Sequence, residues 1–168
     1  MPIPEFIQAL RAKIGTDLLH IPTVAVLVYD EQGRILLVQH MESKLWGIPG
    51  GIVDPHELPA DAAVRETWEE AGVFVELEAI LGVFAGEHFC CTFDNGDQLA
   101  VVETLFSARV VSGTPRPDGV ETADVRFVYR DELDRLSLAA DVRVVLQAVS
   151  KAGSTPYFKP ATWRPTPT

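Results

Sequence analysis

Cysteine is almost missing from the 168-residue chain, with only Cys90 and Cys91, side by side. Neighbouring cysteines are badly placed to bridge, and two thiols are too few for a thiolate metal site, so they read as core or strand thiols. No apolar run approaches the roughly 20 residues that a bilayer-crossing helix needs. The opening MPIPEFIQALRAKIG has no basic head followed by an apolar stretch. A cytoplasmic chain without a membrane partner is therefore expected. Positive charge is also scarce, 14 Lys and Arg against 24 Asp and Glu, for a formal net charge of −10. That balance repels a phosphate backbone at long range and argues against a duplex nucleic-acid partner. A small nucleotide stays open, because bound cations reverse the local field.

What is present is enough for one domain with a sizeable core, since 47% of the residues are hydrophobic. Phe6, Ile7, Leu10 and Ile14 predict an amphipathic helix over Pro4 to Ile14, covering a sheet edge or building a dimer contact. The run TVAVLVY, Thr23 to Tyr29, predicts a central strand buried on both faces. After a turn at Asp30 to Gly33, RILLVQ predicts a hairpin partner for it. Val73 to Ala85 and Glu87 to Phe93 are expected as strands. Asn95-Gly96 is a hairpin signal that folds Leu99 to Val111 back antiparallel. Ser112 to Gly119 is read as a loop, Val125 to Tyr129 as the last strand, Asp131 to Leu133 as the start of a short helix, and Ala139 to Ser150 as the closing helix. The expected division is a lead-in over 1–20, a main domain over 21–150 and a Pro-rich tail over 151–168. The tail's Tyr157, Phe158 and Trp163 are expected to pack on this or another subunit.

The chain is organised around GGIVDPHELPADAAVRETWEEAGV, Gly50 to Val73. At about 100° per residue, a helix there places Glu66, Glu69 and Glu70 on one face and Ala60, Val64, Trp68 and Ala71 nearly opposite, as core. Like charges at these spacings repel by a few tenths of a kcal/mol per pair. A structural helix gains nothing from them, whereas hard divalent ions such as Mg²⁺ or Mn²⁺ take such oxygen ligands. Arg65 can pair with Glu69 or reach back to Glu57. Gly50 and Gly51 allow a close backbone approach, and Gly72 suits a left-handed cap.

Gly51, five residues, Glu57, seven residues, then Arg65-Glu66-Thr67-Trp68-Glu69-Glu70-Ala71-Gly72-Val73 resembles the Nudix box. Two positions depart from it: Thr67 replaces the usual aliphatic residue, at a slight expected loss of core packing, and His56 stands where a Gly is common. The resemblance implies an α/β fold, an α/β/α sandwich with a mixed central sheet, often dimeric, which leaves a homodimer open here. It also implies a divalent-metal-dependent pyrophosphohydrolase acting on a nucleoside diphosphate linked to another moiety, such as a nucleoside triphosphate, nucleotide sugar or dinucleotide. A catalytically silent nucleotide-binding module of the same fold is the alternative.

The implied metal ligands are Glu66, Glu69, Glu70 and the Gly50 carbonyl, with Glu57 binding through water or orienting Arg65. The implied catalytic groups are Glu66, Arg65 and Glu121, the last in the loop before the final strand, with Glu103 as rival general base. Trp46, Phe89 and Phe93 are candidate substrate contacts, although packing is the more common role for each. The window past the box holds His88, Phe89 and Cys90, without the proline typical of ADP-ribose hydrolases. The motif that coenzyme A hydrolases carry upstream of the box is also missing.

Overall fold

The computed structural model describes residues 3–153 and 155–165, so parts of the expected lead-in and tail (residues 1–2, 154 and 166–168) lie outside the described residues. Eight strands form one mixed sheet, and the family-type sandwich is the observed architecture. In chain order the elements are α1 (Glu5–Ile14), β1 (Leu19–Tyr29), β2 (Ile35–His40), β3 (Trp46–Gly47), β4 (Gly50–Ile52), α2 (Pro59–Ala71), β5 (Val73–Phe84), β6 (Cys90–Thr92), β7 (Gln98–Gly113), β8 (Thr122–Val128) and α3 (Ala140–Ala152). The sheet runs β3-β2-β1-β7-β5, with β4 on β1, β6 on β7 and β8 on β2.

β1 is the strand on which both faces are built. Its side chains alternate, so Val24, Val26 and Val28 pack with Ala62, Ala63 and Ala71 of α2, while Ala25 and Leu27 pack with Val142 and Val145 of α3. Each such fully buried aliphatic side chain contributes about 1.5–3 kcal/mol. Two helices on opposite faces of one sheet are the consequence.

Several expectations are corrected. The β1–β2 hairpin is closed only at Tyr29 opposite Ile35; further along, β4 occupies that edge of β1, Thr23 to Ala25 against Ile52 to Gly50. On its other edge β1 pairs in parallel with β7 from Leu19–Leu99 to Tyr29–Arg109, a long-range match that local patterning does not encode. Glu87–Phe89 is a 3-10 turn before β6, not strand, and β7 runs to Gly113, into the expected loop. Cys90 and Cys91 are strand residues but exposed, not core.

The polarity of α2 also differs from the helical-wheel expectation. Trp68 is 48% exposed, while Glu66 and Glu70 are 4% and 5% exposed. The small residues Ala62, Ala63 and Ala71 let the helix lie close to the sheet, and that contact carries the two glutamates inward with it. Thr67, expected to loosen the core, is fully buried and donates its hydroxyl to the Ala63 carbonyl at 2.7 Å. Of the tail's three aromatics, Tyr157 packs: its ring stacks on Phe84 at 5.0 Å and its N–H donates to the Leu81 carbonyl at 2.6 Å. Phe158 and Trp163 are exposed.

α2 begins with Pro59 in its first turn and ends on Gly72 in the left-handed region (φ 68°), whose N–H donates to the Trp68 carbonyl at 3.0 Å. A Cβ at Gly72 would also stand 2.5 Å from Arg116 Cγ. Gly72→Ala is expected to lower stability by about 1–2 kcal/mol, measured by urea denaturation; an unchanged midpoint would show that the cap tolerates a side chain.

Candidate active site

The glycine turn and α2 face each other at close range. Gly51 lies on β4 opposite Val24 of β1, and a Cβ on it would overlap the Glu66 carboxylate. A Cβ on Gly50 would overlap the Val24 carbonyl and stand 2.9 Å from Ala25 Cα. Both positions therefore require glycine for lack of room. The Gly50 N–H donates to Glu70 Oε2 at 3.1 Å and fastens β4 to the helix.

Arg65 is the centre of the acidic group. Its Nε and one terminal nitrogen donate to the two oxygens of Glu57, both at 2.8 Å. That same nitrogen donates to the Ile52 carbonyl at 3.1 Å, and the other donates to Glu66 at 2.8 Å and Glu69 at 3.1 Å. All five guanidinium donors are thus engaged within the chain. Arg65, expected among the catalytic groups, spends its donors on Glu57, Glu66, Glu69 and the Ile52 carbonyl. Glu57 is held below its ordinary carboxylate range mainly by that pairing.

Glu66 and Glu70 are shifted upward, chiefly by burial, Glu70 to about 8. Burial of carboxylates without full charge compensation has this effect. Three acids, Glu57, Glu66 and Glu69, share one guanidinium and a fourth, Glu70, is held by the Gly50 N–H; their oxygens are the hard donors that Mg²⁺ or Mn²⁺ prefers. The donor set and its excess negative charge fit a divalent ion. Among the described residues no three acidic, His or Cys side chains converge as a preformed cage. The arrangement explains this: Arg65 draws Glu66 and Glu69, and the Gly50 N–H holds Glu70.

Glu121 precedes β8 on a tied-down loop. Asp118 Oδ1 accepts the N–H groups of Val120, Glu121 and Thr122 at 3.0, 3.0 and 2.8 Å. The Thr122 hydroxyl donates to the Glu70 carbonyl at 2.9 Å, and the Met41 N–H donates to the Glu121 carbonyl at 2.6 Å. Asp118 and Thr122 were not singled out in the sequence. The signal for them was local, an Asp three residues before the acid it positions.

Two cavities meet at the glycine turn. The smaller, about 420 Å³, lies on the α3 side and is lined by Thr23, His40, His88, Glu103 and Asp141 as well as Gly50 and Gly51. The larger, about 1420 Å³, holds Arg65, Glu66 and Glu121. The structure thus brings Glu66 and Glu121 into one cleft and sets Glu103 in the other cavity. Glu103 is raised to about 7, by burial first and by Asp141 second. Thr23 Oγ1 is buried without a hydrogen-bond partner among the described residues, a cost of about 1–3 kcal/mol that a bound polar group would offset. Burial lowers His40 against the opposing effect of Asp141. Thr23 and Asp141 escaped the sequence reading because they meet only through the β1–β7 pairing and the docking of α3.

The aromatic candidates separate. Trp46 is buried, with the Arg126 guanidinium 4.4 Å from its ring centroid, so the ring is packed within the chain and not open to a base. Phe89 is buried against Phe84 at 5.8 Å, at the wall of the smaller cavity. Phe93 is 52% exposed on the larger cleft.

Comparison with known proteins agrees with this geometry. Residues 19–149 match the family model described as NUDIX domain. A Bacillus subtilis (strain 168) protein named "Putative 8-oxo-dGTP diphosphatase" is 38% identical over 103 residues, 61% of this chain and 62% of that one. The match thus spans somewhat under two thirds of that relative's length. A "MutT-like protein" of Streptomyces ambofaciens is 29% identical over 136 residues, 80% of each chain. The crystal structure of a MutT protein from Methanosarcina mazei Go1 superposes with a TM-score of 0.68 at 23% identity, covering 83% of this chain and 99% of that one, a likeness of fold. With the box residues arranged around the glycine turn and the family model spanning most of the sequence, the chain belongs to the Nudix hydrolase family.

Proposed function

We propose that this protein is a divalent-metal-dependent pyrophosphohydrolase that cleaves a diphosphate bond in a nucleotide. The observation that carries the reading is the burial of Glu66 and Glu70 against Gly50 and Gly51 at the junction of two cavities, with Glu121 in the same cleft as Glu66. Glu66, Glu69 and Glu70, with the Gly50 carbonyl, would hold Mg²⁺ or Mn²⁺. When bound, such ions neutralise phosphate oxygens and lower the pKa of water.

The chain's own groups supply the rest. Arg65 fixes the rotamers of Glu57, Glu66 and Glu69, which mutual repulsion would otherwise spread. Glu121, held by Asp118 and the Met41 N–H, accepts the proton of the attacking water. The water oxygen bonds to one phosphorus, the bridging P–O bond breaks, and the departing phosphate keeps the bond's electron pair. The smaller cavity has a volume suited to a nucleoside. Thr23, Glu103 and Asp141 would recognise its polar edge.

With Mg²⁺ and a broad nucleotide panel, Glu121→Gln is expected to lower kcat by about 10²–10⁴-fold, with KM nearly unchanged, as loss of a general base does. Glu103→Gln should act mainly on KM. A kcat loss of that size in Glu103→Gln, with Glu121→Gln close to wild type, would move the base to Glu103. A wild-type protein that binds nucleotide and metal without turnover, at neutral and alkaline pH, would replace the enzyme by a binding module.

A pH dependence of stability follows from the same acids. Glu103 and Glu70 have folded values of about 7 and 8 against an ordinary 4.5, so the folded chain keeps protons that the unfolded chain has released. Their contribution is complete below pH 4.5 and is lost as pH rises through the folded values. The melting temperature in chelator is expected to fall between pH 4.5 and about 8, and Glu103→Gln should flatten the part below about 7. A melting temperature that rises across this window would contradict the assignment.

A further inference from the structure

The larger cleft is built in part by an element outside the family match. One wall is α1, Glu5–Ile14, which ends before residue 19, where that match begins. Another part of the wall is the tip of the β6–β7 hairpin. Its turn is closed by Phe93 N–H to the Asp97 carbonyl at 2.9 Å and Gly96 N–H to the Phe93 carbonyl at 2.8 Å. Asn95 and Asp97 exchange two further hydrogen bonds at 3.0 Å. Arg11 ties α1 to this hairpin through the Gln98 carbonyl at 2.8 Å. Phe93 is therefore presented from a fixed frame, half exposed, and stacks on no other described ring.

The charges of the cleft discriminate between occupants. Its two described cations are both engaged. Arg65 has no spare donor, and Arg11 serves the carbonyls of Gly15, Asp17 and Gln98 beside Asp97 at 3.6 Å. Around them the lining includes Glu42, Asp54, Asp94 and Asp97. A terminal phosphate entering this space meets carboxylates and no available guanidinium. A neutral polyhydroxyl group meets acceptors for its hydroxyls and an aromatic face for its C–H bonds. The two cavities share Gly50 and Gly51, so a molecule with its diphosphate there extends an organic group into each.

We propose that the α1–hairpin cleft is a subsite for an uncharged, hydroxyl-bearing group on the distal phosphate, so that the preferred substrates are nucleoside diphosphates linked to a sugar rather than nucleoside triphosphates. This rests on reading the Gly50–Glu66 junction as the diphosphate site. Water adds across the P–O–P bridge, yielding a nucleoside monophosphate and a sugar phosphate with release of a proton.

The test is steady-state kinetics with Mg²⁺ on base-matched pairs: ADP-glucose with ATP, GDP-mannose with GTP, UDP-glucose with UTP. For the base that is turned over best, kcat/KM for the sugar nucleotide should exceed that for the triphosphate by about tenfold or more. Phe93→Ala should lower the sugar-nucleotide value by roughly three- to tenfold, the worth of one aromatic contact, and narrow the preference. Glu42→Lys should raise the triphosphate value relative to the sugar nucleotide. Preference for the triphosphate in every pair, or a Phe93→Ala loss equal for both members, overturns the subsite alone. Cleavage of no member of any pair overturns the hydrolase reading beneath it.

Discussion

Arg65 joins three glutamates and one backbone carbonyl through its five N–H donors, and the arrangement of the acidic helix depends on that contact. The two parallel bonds to Glu57 fix the plane of the guanidinium. From that plane the remaining donors reach Glu66, Glu69 and the Ile52 carbonyl on β4. The guanidinium is pushed above its ordinary value, first by Glu57, which means that its charge is permanent. A lysine offers a single charged point without the planar fork, so it cannot make this set of bonds.

Glycine has a matching part on the other side of the contact. Gly51 leaves the space that the Glu66 carboxylate fills, and Gly50 supplies the N–H that holds Glu70. Burial raises both acids, so the site is disfavoured as a bare anionic cluster and favoured by added positive charge. Sheet topology then decides what lies around it. β4 sits on β1, β1 pairs in parallel with β7, and α3 covers the face where Thr23, Glu103 and Asp141 approach one another. α1 and the Phe93 hairpin add the second cleft.

Much of this was legible in the sequence where the information is local. The spacing from Gly51 to Val73 located the glycine turn, the arginine, the acids and the left-handed cap, and the apolar run of β1 gave a strand buried on both faces. What escaped was non-local. The helical wheel placed Trp68 inward and the acids outward, because periodicity reports which residues share a face and not which face docks. Here Ala62, Ala63 and Ala71 permit the closest approach to the sheet, and Glu66 and Glu70 follow them inward. Likewise β1 and β2 are neighbours as expected, but they pair only near their turn, and β4 from the box and β7 from far along the chain fill the remaining edges of β1. The partner of Thr23 across the β1–β7 ladder is Glu103, 80 positions away in sequence, beyond any local pattern.

The most direct test is a calorimetric titration of Mn²⁺ into chelator-treated wild-type protein and the Arg65→Lys variant, with circular dichroism showing that both are folded. If Arg65 organises the acids into a cation site, wild type binds Mn²⁺ and the variant binds about 10–100-fold more weakly, as loss of a group that orients ligands does. Equal affinity in the two proteins, or no Mn²⁺ uptake by wild type, would contradict it.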